Sequence, residues 1–168
     1  LSSALKGSVV MSESLDEAYN ALLSGRLPNA WVSASYPSLK APAAYIDDLS
    51  RRLAFFRGWI EGGQPDALWM PAFFFPQGVV TSLQTAFVRR RGDVAIDDVV
   101  FAFHFLSERP PQPPEDGAIV YGLFLEGARF DRAAGLLAEP LPNQPLAPLP
   151  ELWLQPMAKD DKPSRPCD

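Results

Sequence analysis

The residue types that most often carry chemistry are sparse in this chain: one histidine, His104, and one cysteine, Cys167, in 168 residues. A Cys/His zinc site would have these two as its only ligands, far apart in sequence, so no structural metal centre is expected. His104 lies between Phe103 and Phe105 with no G-x-S-x-G motif nearby. It reads as a histidine satisfied at a strand face rather than a general acid or base. Of the carboxylate pairs, Asp47 and Asp48 are adjacent on a helical stretch and point about 100° apart, so they cannot readily act on one atom. Asp97 and Asp98 precede an extended run and read as a solvated turn. Neither pair fits the calcium-loop spacing. No G-x-x-x-x-G-K-[ST] and no G-x-G-x-x-G occurs, so the sequence lacks the glycine-rich cradles that hold nucleotide phosphates. No catalytic, cofactor-binding or metal-binding residue is therefore assigned, and no enzymatic activity is expected of this polypeptide itself.

The remaining charge is distributed as structural charge usually is. Arg89, Arg90 and Arg91 suit the C-terminal turn of a helix, where cations meet the negative end of the macrodipole. Glu126, Arg129, Asp131 and Arg132, around Gly122 and Gly127, read as an ion-pair network or a partner-contacting turn, the half-buried structural pair being the commoner outcome. With a net charge of -5 the polypeptide lacks the footprint of nucleic-acid binding, so no nucleic-acid partner is expected. No apolar run is long enough for a membrane span and no signal peptide is evident, so no membrane partner is expected either. The lone Cys167 points to a reducing compartment, and the protein is expected to be soluble and intracellular.

The elements that position these residues divide by period. Leu1 to Gly7 reads as the tail of a helix begun upstream. Met11, Leu15, Ala18, Tyr19, Leu22 and Leu23 recur at helical spacing, with Ser14-x-x-Glu17 as a capping box and Gly25 as the stop. A connection through 27–40 follows, pinned to the core by Trp31 and Tyr36. The clearest helix starts at Pro42 and ends at Gly62-Gly63. Its apolar stripe is Ile46, Leu49, Leu53, Phe56 and Ile60, with Asp47, Asp48, Arg51, Arg52 and Arg57 on the other faces. Residues 68–76 read as an apolar connector, and Gly78 to Arg89 as a third helix. Phe73, Phe74, Phe75 and Trp69 form an aromatic cluster whose rings serve mostly as core, or as an interaction patch where exposed.

Beyond Gly92-Asp93 the period becomes two. Val99, Phe101, Phe103 and Phe105 alternate with Val100, Ala102, His104 and Leu106, which predicts a strand. Pro110 to Gly117 is a loop, strands are predicted over 118–126 and 151–155, and the end from Ala158 reads as polar and frayed. Helices first and strands second make the fold class α+β, with antiparallel pairing. One domain covers 1–168: a helical part about 1–91, a β part about 94–156 and a tail 157–168.

Several strings raise a family. Phe73-Phe74-Phe75-Pro76-Gln77-Gly78, Pro114-Glu115-Asp116-Gly117 and the run from Gly122-Leu123-Phe124-Leu125-Glu126-Gly127 to Asp131 resemble consecutive signatures of the C-terminal domain of dynein heavy chains. So do residues 5–12, Ser35 to Lys40, Phe55-Phe56-Arg57-Gly58-Trp59-Ile60 and Leu149 to Pro156. Each string is weak alone; in this order they are specific. The F-F-F-P-Q-G and G-L-F-L-E-G-A-R-[WF]-D forms resemble the axonemal kind, from which the cytoplasmic cargo motor departs at both places.

The resemblance implies a C-terminal structural and regulatory module of a ciliary or flagellar microtubule motor: helices, then a β-barrel-like half, packed on a ring of AAA+ modules. It implies no nucleotide site here, ATP and magnesium being cofactors of the parent ring. The implied partners are the AAA+ ring of the same heavy chain and, through the parent complex, dynein intermediate and light chains and microtubules. The implied location is the axoneme of a cilium or flagellum, within cytoskeleton and cytoplasm. After Pro156 the family continues with a strand-forming Y-x-C-P-V-Y-K-T segment that this sequence does not have, so the domain is expected to be truncated at both ends, its barrel incomplete and one sheet edge unpaired. The competing reading is a free-standing interaction module acting through the Phe73 to Phe75 patch and the open edge. A small hydrolase built on His104 has little support.

Overall fold

The structure, a computed structural model, describes residues 1–161. Residues 162–168, including Cys167 and most of the expected polar tail, lie outside the described residues. Two compact units are formed, Leu1–Arg57 and Gly58–Asp168.

The first unit is helical. It holds α1 (Ser2–Leu5), α2 (Glu13–Leu23), α3 (Asn29–Ala34) and most of α4 (Pro42–Gly62). The N-cap of α2 lies two residues before Ser14, the predicted one. Ser12 is the N-cap, its Oγ accepting from the Leu15 N–H at 3.4 Å. Glu17 instead accepts from the Asn29 N–H at 3.3 Å, at the first residue of α3. The predicted connection thus contains a helix, and Trp31 within it is 37% exposed rather than pinned in the core, whereas Tyr36 is buried.

The predicted bounds of α4 hold, but its predicted inner face does not. Tyr45 and Asp48 are buried and Leu49, Arg52, Phe56 and Trp59 half-buried, whereas Ile46, Leu53 and Ile60 are exposed. The helix turns Asp48 and Arg52 inward, against the expectation that they lie on outer faces. The reason is a three-way demand for the Asp48 carboxylate, which Tyr36, Lys40 and Arg52 all approach. Once buried, that carboxylate must keep its donors, and turning the helix to bury the aliphatic stripe would break them.

The second unit begins with the last turn of α4 and continues through β1 (Ala67–Trp69), a 3-10 turn (Met70–Ala72) and α5 (Pro76–Arg91). The run predicted as a connector is therefore partly a strand. It is buried throughout, and it pairs in parallel with β3 (Ala118–Tyr121), Ala67 opposite Ile119 and Trp69 opposite Tyr121. Pro76 sits in the first turn of α5, where its missing N–H costs nothing, and Arg89, Arg90 and Arg91 fill the last turn before Gly92.

The main sheet has the order β1-β3-β8-β2, with β2 spanning Val99–Phe105 and β8 spanning Leu152–Ala158. Both β8 pairings are antiparallel. Every second residue of β8 is buried, so Leu152, Leu154, Pro156 and Ala158 face the core with Ile119 and Val120. Pro156 is tolerated inside this strand because it lies opposite Phe101 of β2 but beyond the last β3 partner, Ala118. The strand predicted to end at 155 thus extends to Ala158 and a 3-10 turn, Lys159–Asp161, taking up part of the expected tail.

The single strand predicted over 118–126 is two, β3 and β4 (Phe124–Glu126), divided at Gly122. There φ is +82°, and a Cβ would lie 2.7 Å from the Trp69 ring. Three further strands had no clear period: β5 (Arg129–Asp131) with β6 (Leu136–Ala138), and β7 (Leu146–Pro148), which pairs with β4. Among the described residues the β half is thus one four-stranded sheet and two short ribbons, with no closed barrel. The helical half followed by mainly antiparallel sheets is an α+β fold.

Candidate functional site

In the second unit, α5, the β1 region and the loop before β3 enclose an apolar cleft of about 590 Å³. Its walls include Trp59, Leu68, Phe73, Leu83 and Phe87. Trp59 and Phe73 meet edge to face at 6.1 Å, a geometry that ring quadrupoles favour. Phe75, 73% exposed, stands at the cleft, with Phe74 exposed beside it in sequence. Of the three phenylalanines read mainly as core, two therefore present rings to solvent.

The polar side of the cleft is built by residues 114–117. Arg90 donates to the Glu115 carbonyl and pairs with the Asp116 carboxylate. The indole N–H of Trp153, on β8, donates to the Asp116 carbonyl at 2.8 Å. Gly117 has φ +84°, and a Cβ there would lie 1.8 Å from the Leu154 carbonyl oxygen. Only glycine lets this loop lie directly on β8. Three of the sequence strings, around Trp59, Phe73 to Gly78 and Glu115 to Gly117, thus converge on one cleft. Their spacing could not reveal this, because the convergence depends on the parallel β1–β3 pairing.

A second constellation sits in the first unit. The buried Asp48 carboxylate accepts from the Tyr36 hydroxyl at 2.6 Å, from Arg52 Nε at 2.9 Å and from Lys40 Nζ at 2.7 Å. Burial alone would raise the Asp48 pKa, but hydrogen bonds from Lys40, Tyr36 and Arg52 overcome that and hold it well below the usual carboxylate range. Burial, and then the hydrogen bond to Asp48, push the Tyr36 hydroxyl up to about 12. The Arg52 guanidinium also lies 4.5 Å from the Tyr36 ring centroid. A carboxylate held this firmly ionised, with its oxygens committed to three donors, is a structural anchor. It ties Ser35 to Lys40, one further string, to α4.

The other residues singled out by type lie apart from both places. His104 Nε2 is 2.9 Å from Gln155 Oε1, and its ring lies 4.9 Å from that of Trp153. Asp97 and Asp98 form a 3-10 turn, where the Asp97 carbonyl and the Asp98 carboxylate both meet Lys159 Nζ. Asp131 accepts from the Ala133 and Ala134 N–H groups and pairs with Arg129 at 3.5 Å, organising the β5–β6 turn. Asp47 lies on the exposed face of α4. Among the described residues no group of three or more His, Cys, Asp or Glu side chains is arranged to hold a metal ion, and no helix is long and apolar enough to cross a membrane.

Known proteins are similar to this sequence. The family model for the C-terminal domain of dynein heavy chains matches residues 1–167. Identity to mouse (Mus musculus) dynein axonemal heavy chain 3 is 41% over 158 residues, covering 93% of this polypeptide and 4% of that protein. To mouse dynein axonemal heavy chain 12 it is 39% over 160 residues, covering 95% of this polypeptide and 5% of that protein. To rat (Rattus norvegicus) dynein axonemal heavy chain 1 it is 40% over 158 residues, covering 92% of this polypeptide and 4% of that protein. The polypeptide thus spans only a small fraction of the length of these relatives, and it belongs to the family of C-terminal domains of dynein heavy chains.

Proposed function

We propose that this polypeptide is the C-terminal structural and regulatory module of an axonemal dynein heavy chain, a minus-end-directed microtubule motor of cilia and flagella. The module docks on the AAA+ ring of its own heavy chain and tunes motor output. It supplies no catalytic group. ATP and magnesium act in the parent ring, and microtubules and the dynein intermediate and light chains are met through the parent complex. Its location is the axoneme.

The observation that carries this reading is the apolar surface of α4. Ile46, Leu53 and Ile60 recur every seven residues along a face left exposed, while the polar Asp48 and Arg52 are turned inward. A helix with this pattern satisfies its polar groups internally and offers its aliphatic side chains to a neighbour. The matching relatives are far longer than this polypeptide, which leaves room for a neighbour in the same heavy chain, and the AAA+ ring is the neighbour in this proposal. The test is a pull-down of the 168-residue protein against AAA+ ring fragments of an axonemal heavy chain. Retention by the ring, lost in the triple variant Ile46→Ser, Leu53→Ser, Ile60→Ser, is the expected result. Retention unaffected by the triple variant contradicts docking through α4.

A further inference from the structure

The connection from β2 to β3 is longer than its task requires. The two strands flank β8, so the chain has only to cross that one strand, on the order of 15 Å, which about five extended residues span. Residues 106–117 make the crossing instead, and at their centre stands Arg109-Pro110-Pro111-Gln112-Pro113-Pro114. Both stems of this loop are held. The Arg109 guanidinium grips the Glu151 carboxylate with two donors, Nε at 3.0 Å and Nη2 at 2.5 Å. Arg90 and the Trp153 indole hold Glu115 and Asp116 at the other end. Between the stems Pro110, Pro111, Gln112 and Pro113 are exposed, and among the described residues Ser107 to Pro114 form no backbone hydrogen bond. Their carbonyls are left open to the donors of a partner.

Local chemistry sets the shape of the strip. Each proline fixes its own φ near −65°, and each residue that precedes a proline is kept extended. From Arg109 to Pro113 every residue except Pro111 precedes a proline, so Pro111 alone keeps a free ψ. The chain bends there, at Pro111 and Gln112. Rotation about that single bond turns the loop into a polyproline II strip, in which Pro110 and Pro113, or Pro111 and Pro114, share a face at three residues per turn.

We propose that residues 109–114 are a docking strip for another protein that carries a polyproline-reading module, its aromatic groove rimmed by basic side chains. Charge selects the rim. Glu108 and Glu115 are exposed on either side of the prolines, whereas Arg109 is committed to Glu151, so the strip meets its partner with acidic ends. This contact uses neither α4 nor the AAA+ ring, and it stands or falls apart from the docking proposed above.

The test is calorimetric titration of the full 168-residue protein with purified WW, EVH1 and SH3 domains grouped by the charge of their groove rims. A basic-rimmed domain is expected to bind with a Kd of roughly 10–100 µM, and acidic-rimmed domains at least about tenfold more weakly. The triple variant Pro110→Ala, Pro111→Ala, Pro113→Ala breaks both proline pairs and is expected to weaken binding at least about tenfold, with circular dichroism unchanged. Should that variant fail to fold, Glu115→Lys keeps every proline and the carbonyl that Arg90 holds, and is expected to weaken binding to the basic rim about fivefold. Affinity unchanged in the folded variant overturns the proposal. So does tighter binding by acidic-rimmed domains, or no binding by any basic-rimmed domain at about 1 mM.

Discussion

The two units solve the problem of holding a polypeptide together in opposite ways. The second buries a layer of apolar residues, among them Leu68, Trp69, Ile119, Val120, Leu152 and Leu154, on a sheet whose ladder satisfies the backbone. The first has few fully buried apolar residues, chiefly Ala21, Tyr36 and Tyr45, and two of them gather around one carboxylate or beside it. A polar hub fixes geometry without covering much surface. The helical unit consequently leaves Val10, Leu23, Leu39, Ile46 and Leu53 exposed. The contrast lies in what holds each unit, an apolar layer in one and a polar hub in the other; both leave apolar side chains exposed, Phe75 and Phe124 among those of the sheet unit.

The sharpest way to break this contrast is Gly117→Ala. The new Cβ would meet the Leu154 carbonyl in a backbone conformation that disfavours side chains, at a cost of about 3 kcal/mol or more. Denaturant unfolding followed by Trp fluorescence is expected to show the loss. Asp48→Ala removes the hub of the other unit, leaving Arg52 partly buried without its carboxylate, and is expected to cost about 3 kcal/mol in the same measurement. If both variants unfold the whole molecule in one transition, the units are coupled. If each affects only the signals of its own unit, they are separate.

Acid and alkali probe the hub without mutation. The folded pKa of Asp48 lies below its unfolded value of about 3.9, so its contribution is complete above that value and is lost as pH falls further. The Tyr36 pKa is raised to about 12 from an ordinary value of about 10, so its contribution is complete below about 10 and is lost as pH rises toward 12. Thermal melts across pH are expected to show both losses in the wild type, and Asp48→Asn is expected to flatten the acid limb. Smaller is Trp153→Phe, which removes one hydrogen bond to the Asp116 carbonyl and is expected to cost about 1 kcal/mol by denaturant unfolding. Smallest is Arg109→Gln, whose pair with Glu151 is solvent-exposed, with a change below about 0.5 kcal/mol by the same method.

Much of this architecture was legible because it follows a period. The bounds of α4 and the extended run of β2 come from local chemistry that tertiary contacts do not override, whereas α5 runs from Pro76 to Arg91, two residues beyond the predicted Gly78 to Arg89 at each end. The inner face of α4 was not legible, because its aliphatic stripe is the more regular of the two and only the meeting of Asp48 with Tyr36 and Lys40 reverses the choice. β1 escaped for a different reason: a three-residue strand between prolines has no period, and its partner, β3, is far along the sequence, Ala67 meeting Ile119. The short ribbons β4–β7 and β5–β6 likewise take their pairing from Gly122, Gly127 and the Asp131 turn. In the candidate cleft the participating strings could be named, but their convergence rests on that same non-local pairing.

Hydrogen–deuterium exchange on the 168-residue protein, free and mixed with the AAA+ ring of an axonemal heavy chain, tests the central claim most directly. The account predicts that ring binding slows exchange along α4 through Ile46, Leu53 and Ile60 while leaving β8 unchanged. Protection that spares α4, or exchange that the ring does not alter anywhere, would contradict it.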